Sequence, residues 1–363
     1  MPRGRRAASG NATAIDSVLS AINKKWPNSM IMASDPQLAI RKVPTGILSL
    51  DDLMKGGFGR NRHTEIFGSY NVGKTYVCYR TIATNQKLGE KCAFIDAEGT
   101  FDPTFATAAG VDVDALALTN QERLGHAERV IDVTETLLRS REYGIICIDS
   151  IASLLPKSEL ENGMEAGSMG TEQAKLMSKA LRKLTAANSD TALLFINQTR
   201  EAVGVMFGKR SITSGGKAMG FYAATRLELT RTDSIKRKSK RVNAATGELV
   251  EKEHIVGHRV LVRVEKDKIG STHQGAETTF VYDYQLGGID PIEDIIYLGR
   301  KYGLIKKSNS TWWVDGYKED ALIGRPKFKR YLRNNNLIAE ELEEGIREAV
   351  HATFEPDEDD GEE

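Results

Sequence analysis

Residues 68–75 read Gly68-Ser69-Tyr70-Asn71-Val72-Gly73-Lys74-Thr75, a G-x-x-x-x-G-K-T string between an apolar run at 63–67 and a helix-like run at 76–83. This string constrains the fold because strand, loop and helix must follow in that order for it to work. The glycines let successive backbone N–H groups curl around phosphates, Lys74 reaches the β and γ oxygens, and Thr75 ligates Mg²⁺. The expected ligand is a nucleoside triphosphate.

The 363 residues suit one large domain with appendages, or two to three domains, and 40% hydrophobic with 28% charged content is ordinary for a globular protein. A formal net charge of zero conceals an asymmetry. Residues 355–363 carry seven acids and no base, so the rest of the chain carries +7. Within that rest, residues 299–333 hold ten Lys/Arg against three Asp/Glu. A basic module beside an acidic tail implies a polyanion partner and a tail that competes with it. Arg3, Arg5 and Arg6 are followed by polar Ser9-Gly10-Asn11 rather than an apolar stretch, and no run is long enough to span a bilayer. Cys78, Cys92 and Cys147 stand singly in apolar segments, as buried thiols in a reducing compartment do. His254 and His258 have helical ligand spacing but no third ligand nearby in sequence. The expectation is a cytoplasmic protein with no membrane partner.

Ile15, Val18, Leu19 and Ile22 recur at helical spacing, with Thr13 and Asp16 placed as a capping pair. Pro27, Pro36 and Pro44 then break periodicity, so this short helix is expected to be tethered and to pack on another subunit. Apolar strand candidates at 63–67, 92–96, 144–149 and 192–197 alternate with helical segments at 127–139 and 172–184. That pattern predicts a parallel sheet covered on both faces. Strands at 226–230, 260–264 and 278–282 follow without comparable helices, which predicts an antiparallel far edge. Between the first two of these, the basic run 236–241 is expected on an exposed hairpin, as a DNA contact or a solvated loop. A smaller α/β module begins near Gly287, and the acidic tail is expected to be disordered.

The run 144–149 is a strand ending in Asp149, where P-loop enzymes hold Mg²⁺ through water. Hydrolysis also needs a group to orient or deprotonate water. Glu98 sits just past the strand 92–96, which is expected to neighbour the P-loop strand; Asp96 competes, and spacing does not separate them. Asn197 and Gln198 end another buried strand and can sense a γ-phosphate. Two long glycine-punctuated loops are expected at 161–170 and 199–220, the second carrying Arg200, Lys209, Arg210 and Lys217. Basic loops with apolar tips suit single-stranded nucleic acid.

At Phe195-Ile196-Asn197-Gln198, Gly204-Val205-Met206-Phe207-Gly208, Gly215-Gly216 and Cys92-Ala93-Phe94-Ile95-Asp96-Ala97-Glu98 the chain resembles the bacterial RecA recombinase family, over nearly its whole length. The resemblance implies an α/β fold with a RecA-like P-loop ATPase core of mostly parallel twisted sheet, an N-terminal polymerisation helix and a small C-terminal α/β domain. It divides the chain into a helix and linker for protomer contact (1–34), the core with two DNA-binding loops (35–284), a basic C-terminal domain (285–354) and the acidic tail (355–363). It implies an ATP- and Mg²⁺-dependent filament on single-stranded DNA that pairs this strand with homologous duplex.

By that resemblance Glu98 is the catalytic glutamate and Gln198 links the γ-phosphate to the second DNA loop. Asp102, Phe105 and Tyr282 lie on the adenine side, with Phe105 standing where the family more often has Tyr. Lys266 and Lys268 match a pair that reaches the neighbouring subunit's phosphates. Met169 and Val203 match apolar wedges between base triplets, and Ser178, Arg182, Arg200, Gly215 and Gly216 match DNA backbone contacts. Phe221 matches an aromatic that plugs into the adjacent protomer. The chain departs from the family at Gly220 and Lys217, in a first loop or following helix one residue longer, and in an extended 236–241 segment, as a divergent or phage-borne member would. A hexameric helicase-type motor and a mediator without turnover are the alternatives; the tethered helix with Lys266 and Lys268 argues against the first, and intact Lys74, Glu98 and Asp149 against the second.

Overall fold

A computed structural model describes residues 9–27, 29–162, 169–201, 211–242 and 249–352. The chain divides into two units, residues 1–41 and 42–363. The first holds helix α1 (Ser9–Lys25). Thr13 and Asp16 therefore lie inside the helix and do not cap it. Ala12 and Ala14 carry the helix past Thr13, whose interior cost against Ala is below about 0.7 kcal/mol.

The second unit opens with β1 (Lys42–Val43), α2 (Leu48–Leu53), β2 (Phe58–Gly59), β3 (Arg62–Gly68) and α3 (Lys74–Lys87). It continues through β4 (Lys91–Asp96), α4 (Pro103–Ala108), β5 (Leu116–Asn120), α5 (Gln121–Leu124), α6 (Ala127–Ser140) and β6 (Tyr143–Asp149). Next come α7 (Lys157–Asn162), α8 (Met169–Ala187), β7 (Ala192–Glu201), β8 (Ser211–Thr213) and α9 (Ala218–Tyr222). The long pair β9 (Thr225–Val242) and β10 (Leu249–Asp267) leads to β11 (Glu277–Asp283) and β12 (Gly288–Ile289). The chain then forms α10 (Pro291–Lys301), β13 (Ile305–Ser308), β14 (Thr311–Val314), β15 (Leu322–Ile323), α11 (Arg325–Asn334) and α12 (Asn336–Ala352).

The central sheet runs β12-β11-β10-β9-β3-β7-β6-β4-β5. From β9 to β5 the pairings are parallel; β10, β11 and β12 add antiparallel strands at the far edge, as the sequence pattern predicts. Strands β4, β6 and β7 carry apolar runs because helices cover both faces, and β3 is buried as well although it holds His63, Thr64 and Glu65. One face packs on α3 around Tyr79, Phe94 and Ile82, the other on α6, α8 and α9 around Ile131, Leu181 and Phe195. A third core, with Ile296, Trp312, Phe328 and Ile346, belongs to the module of α10, α11, α12 and the β13-β14-β15 sheet.

Strand β4 does not neighbour β3: β7 and β6 intervene. Parallel strands are joined by crossovers of variable reach, so sequence order does not fix the slot a strand takes. The expected loop at 199–220 is also partly ordered, since Thr199–Glu201 extends β7 and pairs antiparallel with Ser211–Thr213. Glu161 and Asn162 end α7, and Met169 and Gly170 begin α8. Val203 and the acidic tail lie outside the described residues, as do the side chains of Met169 and Arg200.

Candidate nucleotide site and its connections to the loops

Strand β3 ends at Gly68, where a Cβ would sit 2.1 Å from the Leu229 carbonyl oxygen; only glycine lets β9 pair here. The loop then turns through Gly73 at φ 90°, a left-handed conformation that β-substituted residues avoid, and α3 begins at Lys74. The Lys74 ammonium donates to the carbonyls of Gly68 (3.1 Å) and Ser69 (2.6 Å). Burial holds its pKa below the ordinary lysine value, while Asp149 and Glu98 oppose that shift.

Thr75 Oγ1 donates to Asp149 Oδ2 at 2.6 Å. Burial pushes the Asp149 carboxyl up to about 7; the Thr75 hydroxyl works against the shift and Glu98 adds to it. The Asp149 carbonyl in turn accepts from Ala97 N (2.6 Å) and Glu98 N (3.1 Å). Glu98 thus reaches the site through β6, the strand beside β4, rather than from a neighbour of β3. Its Oε1 accepts from Gln198 Nε2 at 2.7 Å and from the Ser150 hydroxyl. Asp96 plays a local structural part, since its oxygens accept from the backbone of Gly99 (2.8 Å), Thr100 (3.2 Å) and Phe101 (2.8 Å) and so close the turn after β4.

These groups line one cavity of about 500 Å³. Tyr70, Asn71, Val72, Gly73, Lys74 and Thr75 form its floor, with Glu98, Asp149 and Gln198 on one side. Phe105 and Tyr282 face them, bridged by Tyr76, whose ring meets Tyr282 edge-on at 5.5 Å. Asp102 is exposed and caps α4, accepting from Thr104 N at 2.7 Å; it is not part of the cavity wall. Arg231, His258 and Tyr284 complete the wall, and the sequence pattern does not reveal them as site residues. His258 stacks on Tyr282 at 5.3 Å and its Nδ1 pairs with the Tyr284 hydroxyl at 3.1 Å. Burial, then the Arg231 charge, lowers its pKa and favours the neutral imidazole. The one sequence signal for this wall is the Tyr282/Tyr284 alternation at the end of β11.

A hard-oxygen pair, Thr75 Oγ1 and Asp149 Oδ2, suits Mg²⁺, which takes few protein ligands and completes its shell with water and phosphate. No cluster of three or more His, Cys, Asp or Glu among the described residues could hold a metal by protein ligands alone.

Away from the cavity, Lys266 and Lys268 lie at the end of β10 beside α9. Lys266 Nζ donates to the carbonyls of Gly220 (2.7 Å), Phe221 (3.2 Å) and Ala223. Burial, with Lys268 and Arg226 nearby, lowers its pKa to about 8. Phe221, on that helix, is 73% exposed. At the base of the β7/β8 hairpin, Asn197 Nδ2 bonds Glu65 Oε1 (2.7 Å) and the Ser214 carbonyl (2.9 Å), and Arg226 pairs with the fully buried Glu65. The turn at Gly215 and Gly216 lies against Met177 and Ala174 of α8. Ser178 and Arg182, also on α8, are half-buried and exposed respectively.

A P-loop after a central parallel strand, Asp149 closing a nearby strand, a carboxylate–amide pair above it and an antiparallel flank on the far side define a RecA-like P-loop ATPase. The chain belongs to the RecA family: the model of the RecA N-terminal domain matches residues 13–287. It is 38% identical over 342 residues to Protein RecA of Frankia casuarinae, covering 93% of this chain and 92% of that one. Protein RecA of Saccharopolyspora erythraea is likewise 38% identical over 343 residues (93% and 92%), and that of Cereibacter sphaeroides 35% identical over 362 residues (98% and 95%). The chain is a DNA-dependent ATPase of homologous recombination. Among the described residues no helix is long and apolar enough to cross a membrane.

Proposed function

We propose that this chain assembles in the cytoplasm as a helical filament on single-stranded DNA, and pairs that strand with homologous duplex under ATP control. The observation that carries this reading is the Gln198–Glu98 hydrogen bond, which joins the hydrolytic carboxylate to the strand leading into the second loop.

In this reading the backbone of 68–73 and Lys74 bind the phosphates, and Phe105 and Tyr282 serve the base side. Mg²⁺, when bound near Thr75 and, through water, Asp149, neutralises phosphate charge. Glu98 Oε1 is anchored by Gln198 and Ser150, so its other oxygen is the one to orient water and take its proton. Gln198 relays loop position: it lies two residues before Arg200, whose backbone pairs with Ile212. Met169, Ser178, Arg182, Arg200, Val203, Gly215 and Gly216 meet single-stranded DNA. Lys266 and Lys268 complete the neighbouring protomer's site, and Phe221 anchors that neighbour.

The test combines electron microscopy with single strands and an ATP analogue, and phosphate release with and without DNA. Filaments and DNA-stimulated release are expected, both lost in Lys74→Ala; rings with unwinding activity, or joint formation by Lys74→Ala, would overturn the reading.

A further inference from the structure

The two sides of the nucleotide cavity differ in chemistry. Glu98, Asp149 and Gln198 stand on one side above Lys74 and Thr75, and the rings of Phe105, Tyr76, Tyr282 and His258 stand on the other. Aromatic rings satisfy the π-face of any base and do not tell one base from another. Identity is read by polar atoms that meet the edge of the base.

Most polar atoms of this ring wall are already engaged. The Tyr282 hydroxyl donates to the Gly287 carbonyl at 3.1 Å, and the Tyr76 hydroxyl bonds the Ile289 backbone. The Asp102 carboxylate accepts from Thr104 N (2.7 Å) and Phe105 N (3.4 Å) at the exposed start of α4, outside the wall. His258 differs. It is 2% exposed, and among the described residues its Nε2 is the one buried side-chain atom of the cavity lining without a hydrogen-bond partner. Such an atom is costly, and native structures keep few of them.

The imidazole is held in place. It lies nearly parallel to Tyr282, 18° between planes, and its Nδ1 pairs with the Tyr284 hydroxyl at 3.1 Å. A phenol is a stronger proton donor than a neutral imidazole, so Tyr284 donates to Nδ1 and the ring carries its own proton on Nε2. Nε2 is then a donor with no acceptor. Arg231, exposed on the same wall, gives one N–H to Ser234 Oγ (3.2 Å) and likewise offers only donors.

Donors select acceptors. Adenine and guanine both carry acceptor ring nitrogens, whereas the group at C6 is an amine donor in one and a carbonyl acceptor in the other. Singling out adenine by its amine takes an acceptor, which neither His258 nor Arg231 supplies.

We infer that His258 is the base-reading residue of this site: its Nε2–H donates to a ring nitrogen that adenine and guanine share, and the site therefore takes both purine nucleotides. Tyr284 acts through it as a positioning residue, by fixing the tautomer. Because Nε2 is enclosed beside Tyr282, the base meets it as that ring tilts away. The inference rests on the proposed placement of the base against Phe105 and Tyr282.

Isothermal titration of the full chain with ADP, GDP, 7-deaza-ADP and 3-deaza-ADP provides the test. ADP and GDP should bind within about 5-fold of each other. One deaza analogue should bind roughly 10-fold more weakly than ADP, because it leaves the buried donor unpaired. His258→Phe keeps a ring against Tyr282 without its nitrogens, and the deaza penalty should fall to within about 2-fold. Tyr284→Phe leaves Nε2 in place but frees the tautomer, so the penalty should fall to roughly 3-fold, whereas a merely structural role would weaken all four ligands alike. A preference for ADP over GDP beyond about 5-fold would overturn the inference. So would a wild type that binds both deaza analogues as well as ADP, or a penalty undiminished in His258→Phe. Phe105→Ala separates this outcome from the reading beneath it. Unchanged ADP affinity in that variant would take the base off this wall altogether; weakened affinity, with a deaza penalty that survives His258→Phe, would sink the role of His258 alone.

Discussion

Gln198 Nε2 donates to Glu98 Oε1 at 2.7 Å, joining the ends of β7 and β4 across the intervening β6. The bond holds one carboxylate oxygen and leaves the other for the role of base proposed above. Glu98→Gln should keep nucleotide affinity within a few fold but lower DNA-stimulated turnover by roughly 10²- to 10⁴-fold. Isothermal titration beside a phosphate-release assay checks this, and wild-type turnover would remove Glu98 from the chemistry.

Arg226→Ala is expected to destabilise the protein by about 3–5 kcal/mol, because fully buried Glu65 would lose its guanidinium partner and keep only the Asn197 amide beside it. Urea unfolding measures the difference. The double variant Glu65→Gln/Arg226→Ala should recover part of the loss, since the buried carboxyl group left without its partner is then gone.

Asp294, in α10, accepts from Ser49 N (3.1 Å) and Ser49 Oγ (2.9 Å), tying the C-terminal module to α2. Burial pushes its carboxyl up from 3.8 to about 7, with Asp290 and Asp51 adding to the shift. The folded chain therefore holds a proton that the unfolded chain has lost between these values. The Asp294 contribution is complete below pH 4 and falls away as pH rises through 7. Asp294→Asn stays neutral throughout, so its stability relative to wild type should rise across that window by at most about 4 kcal/mol. A pH-independent difference in chemical denaturation would contradict this.

Phe221 exposes 73% of its surface on a helix whose carbonyls hold Lys266. Phe221→Ala should shift stability by no more than about 0.5 kcal/mol. Filaments should nonetheless shorten in sedimentation and electron microscopy; unaltered length distributions would dismiss the proposed anchor.

Much of the fold was legible because burial leaves a local trace. Strands β4, β6 and β7 each carry a central apolar run, and Lys74 and Thr75 sit in a string that only one geometry satisfies. What escaped was decided by partners distant in sequence. Strand β5 is a short half-buried edge whose apolar run at 115–118 gives way to Thr119 and Asn120. The slot of β4 depends on crossovers that composition does not encode. Asp96 and Glu98 share a strand end, and only the turn at Gly99–Phe101 shows that the first closes a loop. Arg231 and His258 reach the cavity through a β9/β10 pairing whose register shifts near His258, so simple alternation misplaces them.

The three carbonyls around Lys266 have a consequence for an unassembled subunit. An ammonium has three hydrogens, and all three acceptors belong to the same chain. Such a lysine is sheathed: reaching a neighbour's phosphates requires it to leave the end of α9, the helix that presents Phe221. In the proposed filament, exposure of this charge would accompany subunit docking, and a lone protomer would keep it bound to its own backbone.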